Sequence, residues 1–223
     1  MASYAVAHLK IEMLLKLTGV DLSATTMQQA GRLRIYLTNS LEQHYEDVGT
    51  LFSQWLSNEA NEASRIKRDT PVMVMIGNPP YSVSSSNNGV WITNLIADYK
   101  KNLNERNIQP LSDDYIKFIR LGQHYVKKNG QGILGFITNN SFLDGLIHRQ
   151  MRHSLLEVFD KIYIVNLHGS TKRKETAPDG SKDENVFDIQ QGVCINIMVK
   201  AENLGSKMAK VYYCDLFGLR DDK

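Results

Sequence analysis

The sequence contains little cysteine, which limits the kinds of site that it can build. Only two of its 223 residues are cysteines, Cys194 and Cys214, and each lies in an apolar, strand-like stretch. Two cysteines so far apart indicate reduced core thiols in a cytoplasmic protein, rather than a disulfide or a metal-binding pair. The six histidines show no ligand spacing with cysteines or carboxylates. A zinc site is therefore not expected.

Long apolar runs and an excess of charge are also missing. No run approaches the roughly 18 apolar residues that a membrane-spanning helix needs, and no signal peptide precedes the first helical pattern, so no membrane partner is expected. The net charge of +2 is too small to indicate nucleic-acid binding by itself. The basic cluster Lys172-Arg173-Lys174 is typical of a solvated loop, although such a cluster also suits phosphate contacts. Composition alone indicates an ordinary globular domain.

The hydrophobic pattern predicts alternating strands and helices. Apolar residues at helical spacing predict a first helix over about residues 4–15 with Gly19 as its stop, and two more helices over residues 112–130 and 146–159. The continuous apolar run 71–77 is typical of a strand buried on both faces. Further strands are predicted at 32–38, 132–138, 161–167, 192–200 and 209–214.

This order of elements predicts an α/β fold with a mostly parallel sheet and helices on both faces. The last two strands are joined by a loop without a helix, so we expect an antiparallel hairpin at one edge of the sheet. Ligands of such folds bind beyond the carboxyl ends of the strands. The segments to inspect for chemistry are therefore those that begin at Asn39, Asn78, Thr138 and Leu167.

One of these segments has an unusual composition, Asn78-Pro79-Pro80-Tyr81. Two prolines stop a strand, because proline cannot donate to a ladder and fixes φ. A stiff turn does not by itself explain the preceding amide or the following aromatic ring. The side-chain oxygen of Asn78 and the carbonyl of Pro79 are two acceptors held at a fixed angle, and Tyr81 offers a ring on which a planar group can stack.

The chain resembles the amino-methyltransferases of DNA restriction-modification systems, whose fourth motif is Asp/Asn/Ser-Pro-Pro-Tyr/Phe. Four further segments are similar to motifs of that family, in the same order: residues 34–41 to the third motif, 132–142 to the sixth, 162–169 to the seventh and 185–193 to the eighth. The amino-acid sequences of these segments are similar to those of large single-chain enzymes that fuse a nuclease, a helicase, a methyltransferase and a recognition domain. The resemblance therefore implies that residues 1–223 are a methyltransferase catalytic domain, with other domains of a larger chain as partners.

The resemblance also implies a reaction and its residues. S-adenosylmethionine would be the methyl donor and double-stranded DNA the substrate, with a target adenine flipped out of the duplex. The implied catalytic residues are Asn78, Pro79, Pro80 and Tyr81, because two acceptors aimed at the adenine amine localise its lone pair toward the methyl group. Tyr81 and Phe187 would stack on the base, although Phe187 also suits a core aromatic at the start of a strand. Asn39, Ser40 and Asn78 would contact the cofactor.

The front of the chain departs from the family pattern. The Phe/Pro-x-Gly-x-Gly loop and the ribose-binding acid of the first two motifs do not occur in the sequence. We therefore expect a Rossmann-like class I methyltransferase fold that is incomplete at the N-terminus. Residues 1–223 alone are expected to bind S-adenosylmethionine weakly at best and to transfer no methyl group. An uncovered apolar strand edge would favour self-association of this fragment.

The sequence leaves other functions open. Methylation of a cytosine amine, an RNA base or a protein glutamine needs the same acceptor chemistry. A degenerate methyltransferase fold that serves only as an interaction module is the alternative outside the enzyme class. The Asn and Tyr at the ends of the four-residue motif favour adenine, and the similarity to restriction enzymes favours DNA.

Overall fold

A computed structural model of the protein describes residues 2–20, 33–43, 54–81, 84–201 and 208–223. The chain divides into two compact units, Met1–Thr70 and Pro71–Lys223. Each unit is built from different elements. The first contains helices among its described residues, and the second contains the sheet.

The described part of the first unit contains helices α1 (Ala2–Leu17) and α2 (Gln54–Asp69). The predicted first helix is confirmed, and Gly19 ends it with a left-handed φ of 82°. The strand predicted at 32–38 is wrong, because residues 33–39 form no regular structure. A strand needs a neighbour for its ladder, and the described residues of this unit supply none. Side chains of α2 hold the segment instead, through Tyr36 Oη to Glu62 Oε1 at 2.9 Å and Lys67 Nζ to the carbonyl of Asn39 at 2.6 Å.

The second unit alternates strands and helices as predicted, with one addition. The strands are β1 (Val74–Gly77), β2 (Gly132–Asn139), β3 (Lys161–His168), β4 (Val193–Lys200) and β5 (Lys210–Asp215), and the helices are α3 (Val90–Lys100), α4 (Asp114–Asn129) and α5 (Arg149–Val158). Helix α3 was not predicted from the sequence. Helix α4 is capped by Asp113, whose side chain accepts from the backbone N–H of Tyr115, and it ends at Gly130 with a φ of 79°.

The five strands form one sheet in the order β1-β2-β4-β3-β5. The α/β class and the mostly parallel sheet are confirmed, since β1 runs parallel to β2 and β5 parallel to β3. The expected antiparallel hairpin at the edge is wrong in its position. Strand β4 is antiparallel, but it lies inside the sheet between β2 and β3, and β3 separates it from β5. The chain returns from β3 without a helix, so β4 can pair directly beside β3.

The three helices of the second unit pack on one face of the sheet. Right-handed crossovers that advance in one direction across a sheet place their helices on the same side, and here β1, β2, β3 and β5 follow one another in one direction. The expectation of helices on both faces is therefore wrong for this unit. On the other face Ile76 is 81% exposed and Ile133 and Ile197 are partly exposed. The expectation that β1 is buried on both faces is wrong as well.

The core of the second unit lies between the sheet and helices α3 to α5. Its buried residues include Tyr99, Tyr115, Leu134, Met151 and Met198. Helix α4 approaches β2 closely at Gly122, where an added Cβ would lie only 2.4 Å from Leu134 Cδ1. This close packing fixes the start of α4 relative to the carboxyl ends of the strands, where the candidate site lies.

Candidate active site

The segment after β1, which we name the Asn78–Tyr81 turn, has no regular secondary structure, and the exposure of its residues alternates. Asn78 and Pro80 are exposed, Pro79 is buried and Tyr81 is partly buried. The hydroxyl of Tyr81 donates to Asn78 Oδ1 over 3.4 Å, and its ring meets the ring of Tyr115 edge-on with centroids 6.2 Å apart. Burial, helped by Cys194 and Asp113, raises the pKa of Tyr81 to about 12. The Tyr81 hydroxyl therefore remains a donor at neutral pH, and Asn78 presents its amide to solvent.

The loop that follows this turn is fixed by the start of α4. The carboxylate of Asp114 accepts from Ser85 Oγ at 2.5 Å and from Asn87 Nδ2 at 3.0 Å. The Nζ of Lys117, 2% exposed as a residue, donates to Ser85 Oγ at 2.7 Å and to the carbonyl of Asn87 at 2.5 Å. Burial lowers the pKa of Lys117, partly offset by Asp114. Ser82 and Val83 lie outside the described residues.

The sequence pattern does not predict the two anchors Asp114 and Lys117. Nothing in the local pattern links a helix residue to a loop about 30 positions earlier, since the hydrogen bonds span 27 to 32 residues. Their effect is to hold the chain that leaves the Asn78–Tyr81 turn.

The end of β2 is occupied by buried asparagines. Asn139 caps a turn by accepting from the N–H and the hydroxyl of Ser141 at 2.8 and 2.6 Å. Asn140 also makes its contacts within the protein. Its Nδ2 donates to Asn166 Oδ1 at 3.0 Å, and its backbone N–H donates to the carbonyl of Gly192 at 2.9 Å. The segment similar to the sixth motif thus ties the ends of β2, β3 and β4 together.

A polar cluster lies at the end of β3 and was also not predicted. His168 has a left-handed φ of 52° and stacks on Phe217 with centroids 4.0 Å apart. Its Nε2 lies 2.7 Å from Asp215 Oδ1, which also accepts from the hydroxyl of Tyr213 at 2.6 Å. Burial and the hydrogen bond to Asp215 raise the pKa of Tyr213 to about 12. A cleft of about 330 Å³ opens beside these residues, with Asn140 and Arg173 also in its wall.

Phe187 lies on the long connection between β3 and β4. It is partly exposed and lines a cleft of about 610 Å³ together with Asp188, Gln190 and Arg220. Its backbone N–H donates to Asn185 Oδ1 at 2.9 Å. The residue precedes β4 by several positions, so it is a loop residue and not the buried first aromatic of a strand. Its stacking role remains a prediction.

The residues predicted to contact the cofactor lie in different units. Asn39 and Ser40 belong to Met1–Thr70, and Asn78 belongs to Pro71–Lys223. Asn39 uses both polar atoms of its side chain in its own turn, where Oδ1 accepts from the N–H of Leu41 and Nδ2 donates to Glu42, each at 3.0 Å. Ser40 is exposed. Of the predicted residues, the structure thus brings Asn78 and Tyr81 into direct contact, while no ring contact between described residues joins Tyr81 to Phe187.

Both cysteines are free, and they differ in burial. Cys194 is buried, as expected for a core thiol, but Cys214 is exposed on the edge strand β5, so its assignment to the core is wrong. Among the described ranges, no group of His, Cys, Asp and Glu side chains could hold a metal ion. None of the helices in that part of the chain is long and apolar enough to cross a membrane.

Comparison with known proteins gives the family and its structural relatives. The family model of the Eco57I restriction-modification methylase matches residues 3–172. The Type ISP restriction-modification enzyme LlaBIII, solved bound to DNA, is 31% identical with a TM-score of 0.67, and the match covers 82% of this chain and 12% of that one. No curated protein sequence matches the chain significantly.

Two more solved structures agree with this result. A nuclease-deletion mutant of the Type ISP enzyme LlaGI, in complex with a DNA substrate mimic, is 27% identical with a TM-score of 0.77 and covers 100% of this chain and 18% of that one. A DrdV–DNA complex is 27% identical with a TM-score of 0.60 and covers 73% and 16%. The chain thus spans less than a fifth of the length of these enzymes. Its sheet, its Asn78–Tyr81 turn and the match over residues 3–172 lead to one conclusion: the chain belongs to the Eco57I restriction-modification methylase family.

Proposed function

We propose that this chain forms the target-base side of a DNA adenine methyltransferase, which transfers a methyl group to the exocyclic amine of a flipped adenine. The observation that carries the proposal is the turn after β1. It presents the exposed amide of Asn78 next to the half-buried ring of Tyr81, with the buried Pro79 between them. Membership of a restriction-modification methylase family supports DNA as the substrate.

The turn suits activation of an amine. The lone pair of an aromatic amine is delocalised into the ring, and two acceptors directed at its N–H groups draw the nitrogen toward tetrahedral geometry. Asn78 Oδ1 supplies one acceptor, and it has a second lone pair beyond the one that meets the Tyr81 hydroxyl. The carbonyl of Pro79 supplies the other. Two consecutive prolines restrict the backbone that carries the Pro79 carbonyl, so this acceptor needs little reorganisation when the charge develops.

S-adenosylmethionine is the methyl donor that this reaction requires, and when bound it supplies an electrophilic methyl group. The residues of this chain fit such a group in part. Ser40 and Asn78 are exposed, as hydrogen-bonding residues for a bound molecule must be. Asn39 must exchange the bonds of its own turn before its side chain can bind anything else. Asn39, Ser40 and Asn78 all remain proposed cofactor contacts, each judged within its own unit.

The wider context of the proposal is a larger enzyme. The related structures LlaBIII, LlaGI and DrdV are restriction-modification enzymes in complex with DNA or a DNA mimic, and this chain matches only a small share of each. We propose double-stranded DNA as the partner of the site, with recognition, helicase and nuclease functions supplied by other domains. A flipped adenine reaches the turn only after it has left the base stack.

Product analysis tests the proposal directly. The full-length protein is incubated with duplex DNA and S-adenosylmethionine labelled at the methyl group, and the DNA is digested to nucleosides. The expected product is N6-methyladenine. Labelled N4-methylcytosine would replace adenine by cytosine as the target, and label in RNA or protein but not in DNA would reject the DNA assignment.

A further inference from the structure

The chain that carries Phe187 is held by the end of the sequence, residues 216–223. This stretch, the 216–223 segment, follows β5 and includes a short helical turn, Arg220–Asp222. It contacts residues 183–188, which we name the Phe187 segment. These contacts lie within the second unit and connect positions about 35 residues apart.

The base of this contact is a fully buried ion pair. Lys223 Nζ lies 2.6 Å from Asp183 Oδ1, and both side chains have an exposure of 0%. The other two donors of the ammonium group are directed at the carbonyls of Leu167 and Glu184, at 2.7 and 2.8 Å. All three ammonium protons thus have acceptors, which is what a buried charge requires. Asp183 also accepts from the backbone N–H groups of Gly169 and Gly218, at 2.7 and 3.0 Å.

Close backbone packing adds to this base. Gly169 follows β3 with a φ of 77°, and a Cβ at this position would lie 2.4 Å from the Cα of Asn185. Asn185 donates from Nδ2 to the carbonyls of Gly169 and Gln191, at 3.1 and 2.7 Å. One asparagine side chain therefore bridges the two ends of the β3–β4 connection and, through Oδ1, also receives the N–H of Phe187.

Arg220 holds the outer side of the Phe187 segment. Its Nε donates to the carbonyl of Asn185 at 2.9 Å, and its Nη2 donates to the carbonyl of Phe187 at 3.2 Å and to Asp188 Oδ1 at 2.7 Å. The planar guanidinium thus joins the carbonyls of Asn185 and Phe187, on either side of residue 186, and the carboxylate of Asp188. A lysine cannot reproduce this arrangement, because an ammonium group is a point charge without the fixed fork.

We infer that Arg220 is a positioning residue for base binding: its guanidinium fixes the backbone of the Phe187 segment so that the Phe187 ring is held ready to stack on the extruded adenine. The inference rests on the proposed function and on the stacking role of Phe187, which is implied by the family resemblance of residues 185–193. Arg220 suits this task better than a purely structural one. Its side chain is 44% exposed, and the buried Asp183–Lys223 pair already supports the fold beneath it.

Two measurements on the full-length protein test the inference. Hydrogen exchange of the peptide that covers residues 183–190 reports the backbone without DNA, and a 2-aminopurine at the target position of a duplex reports the extruded base. In Arg220→Ala, which removes three hydrogen bonds made by a partly exposed side chain, we expect exchange of the segment to quicken about two- to tenfold. We expect the 2-aminopurine signal to fall by a similar factor and the KM for DNA to rise, with the KM for S-adenosylmethionine unchanged.

Two further variants serve as controls. Arg68→Ala removes an arginine of the same side-chain exposure, 44%, from helix α2 of the first unit, where its guanidinium pairs with Asp69 at 2.9 and 3.0 Å. It should change neither the exchange of residues 183–190 nor the signal of the DNA-bound, extruded base. Arg220→Lys keeps the charge without the fork, so it should behave like Arg220→Ala. A lysine variant equal to the wild type would overturn the role of the guanidinium.

The outcomes separate this inference from the proposed function. Unchanged exchange in Arg220→Ala overturns the inference. Faster exchange with a normal 2-aminopurine signal also overturns it, provided that Phe187→Ala reduces the signal. If Phe187→Ala itself leaves the signal unchanged, the proposed stacking role of Phe187 is wrong and the role of Arg220 is lost with it. Absence of DNA methylation by the intact wild-type enzyme that contains this chain and its other domains would instead reject the proposed function.

Discussion

The Asn78–Tyr81 turn and the Phe187 segment are proposed to serve the same base, yet they are held in place by different means. The turn is stiff because of its own sequence, since two prolines restrict the backbone and the contact between Tyr81 and Asn78 spans three residues. The Phe187 segment has no proline at 183–188. Its order comes from Gly218, Arg220 and Lys223, which lie 32 to 40 residues later.

This difference teaches where each region is vulnerable. A locally stiffened turn is changed mainly by substitutions within it, in its packing partner Tyr115, or in the anchors Asp114 and Lys117 of the loop that follows it. A segment held by a remote network is changed by substitutions that never touch the base. Substitutions at positions 220 and 223 should therefore affect the Phe187 segment and leave the turn unchanged.

The largest effect is expected at the buried ion pair. Lys223→Met leaves the carboxylate of Asp183 buried without its counter-charge and removes a donor from two carbonyls. We expect the free energy of unfolding to fall by about 3–5 kcal/mol, measured by urea denaturation. The control Lys182→Met breaks an exposed ion pair with Glu184 and should cost less than about 1 kcal/mol. Equal losses in the two variants would contradict the assignment of the buried pair.

The next effect concerns the turn. Asn78→Ala removes one of two acceptors that act mainly in the transition state, so the rate of DNA methylation should fall about 100-fold or more. Affinity for the cofactor and stability should change much less. Asn104→Ala, an exposed asparagine in the loop between α3 and α4, is the matched control. Near-normal methylation by Asn78→Ala would show that the assigned role is wrong.

The turn could be predicted from the sequence because its cause is local. Residues 78–81 contain the two prolines that restrict their backbone, and the apolar run before them predicts the strand that ends at Gly77. The order of the strands along the chain and the α/β class follow from periodicity in the same way. Helix α3 was missed because residues 82–89 indicate a loop and the pattern after Val90 was not separated from it.

The remaining features depend on contacts between distant parts of the chain, which a single sequence does not reveal. The place of β4 between β2 and β3 follows from register, not from its own residues. Residues 34–38 alternate like a strand but have no described partner strand in their unit. The Arg220 and Lys223 contacts and the anchors at Asp114 and Lys117 each join positions that are 27 or more residues apart. No local pattern connects such residues.

A smaller effect is expected from the two aromatic walls. Tyr81→Ala and Phe187→Ala should each weaken capture of the extruded base by roughly 1–3 kcal/mol, measured by 2-aminopurine fluorescence. Tyr81→Ala should lower the free energy of unfolding more than Phe187→Ala, because Tyr81 packs against Tyr115 and the core whereas Phe187 lines an open cleft. Tyr163→Ala, an exposed aromatic on the opposite face of the sheet, is the control. A 2-aminopurine signal that is unchanged in Phe187→Ala would contradict the stacking role of Phe187 and leave Tyr81 as the remaining proposed stacking residue.

The smallest effect is expected from Tyr81→Phe, which removes the hydroxyl and keeps the ring. The distance of 3.4 Å between Tyr81 Oη and Asn78 Oδ1 exceeds the 2.5–3.0 Å of a good O–H···O hydrogen bond, so the hydroxyl orients Asn78 only weakly. Methylation should fall less than about threefold, which corresponds to less than about 0.7 kcal/mol. Because the pKa of Tyr81 is raised to about 12, the hydroxyl does not ionise near neutral pH, and the pH profiles of variant and wild type should coincide there. A loss as large as that of Asn78→Ala, or a shifted profile, would mean that the hydroxyl takes part in the chemistry and that the turn depends on more than its ring and its prolines.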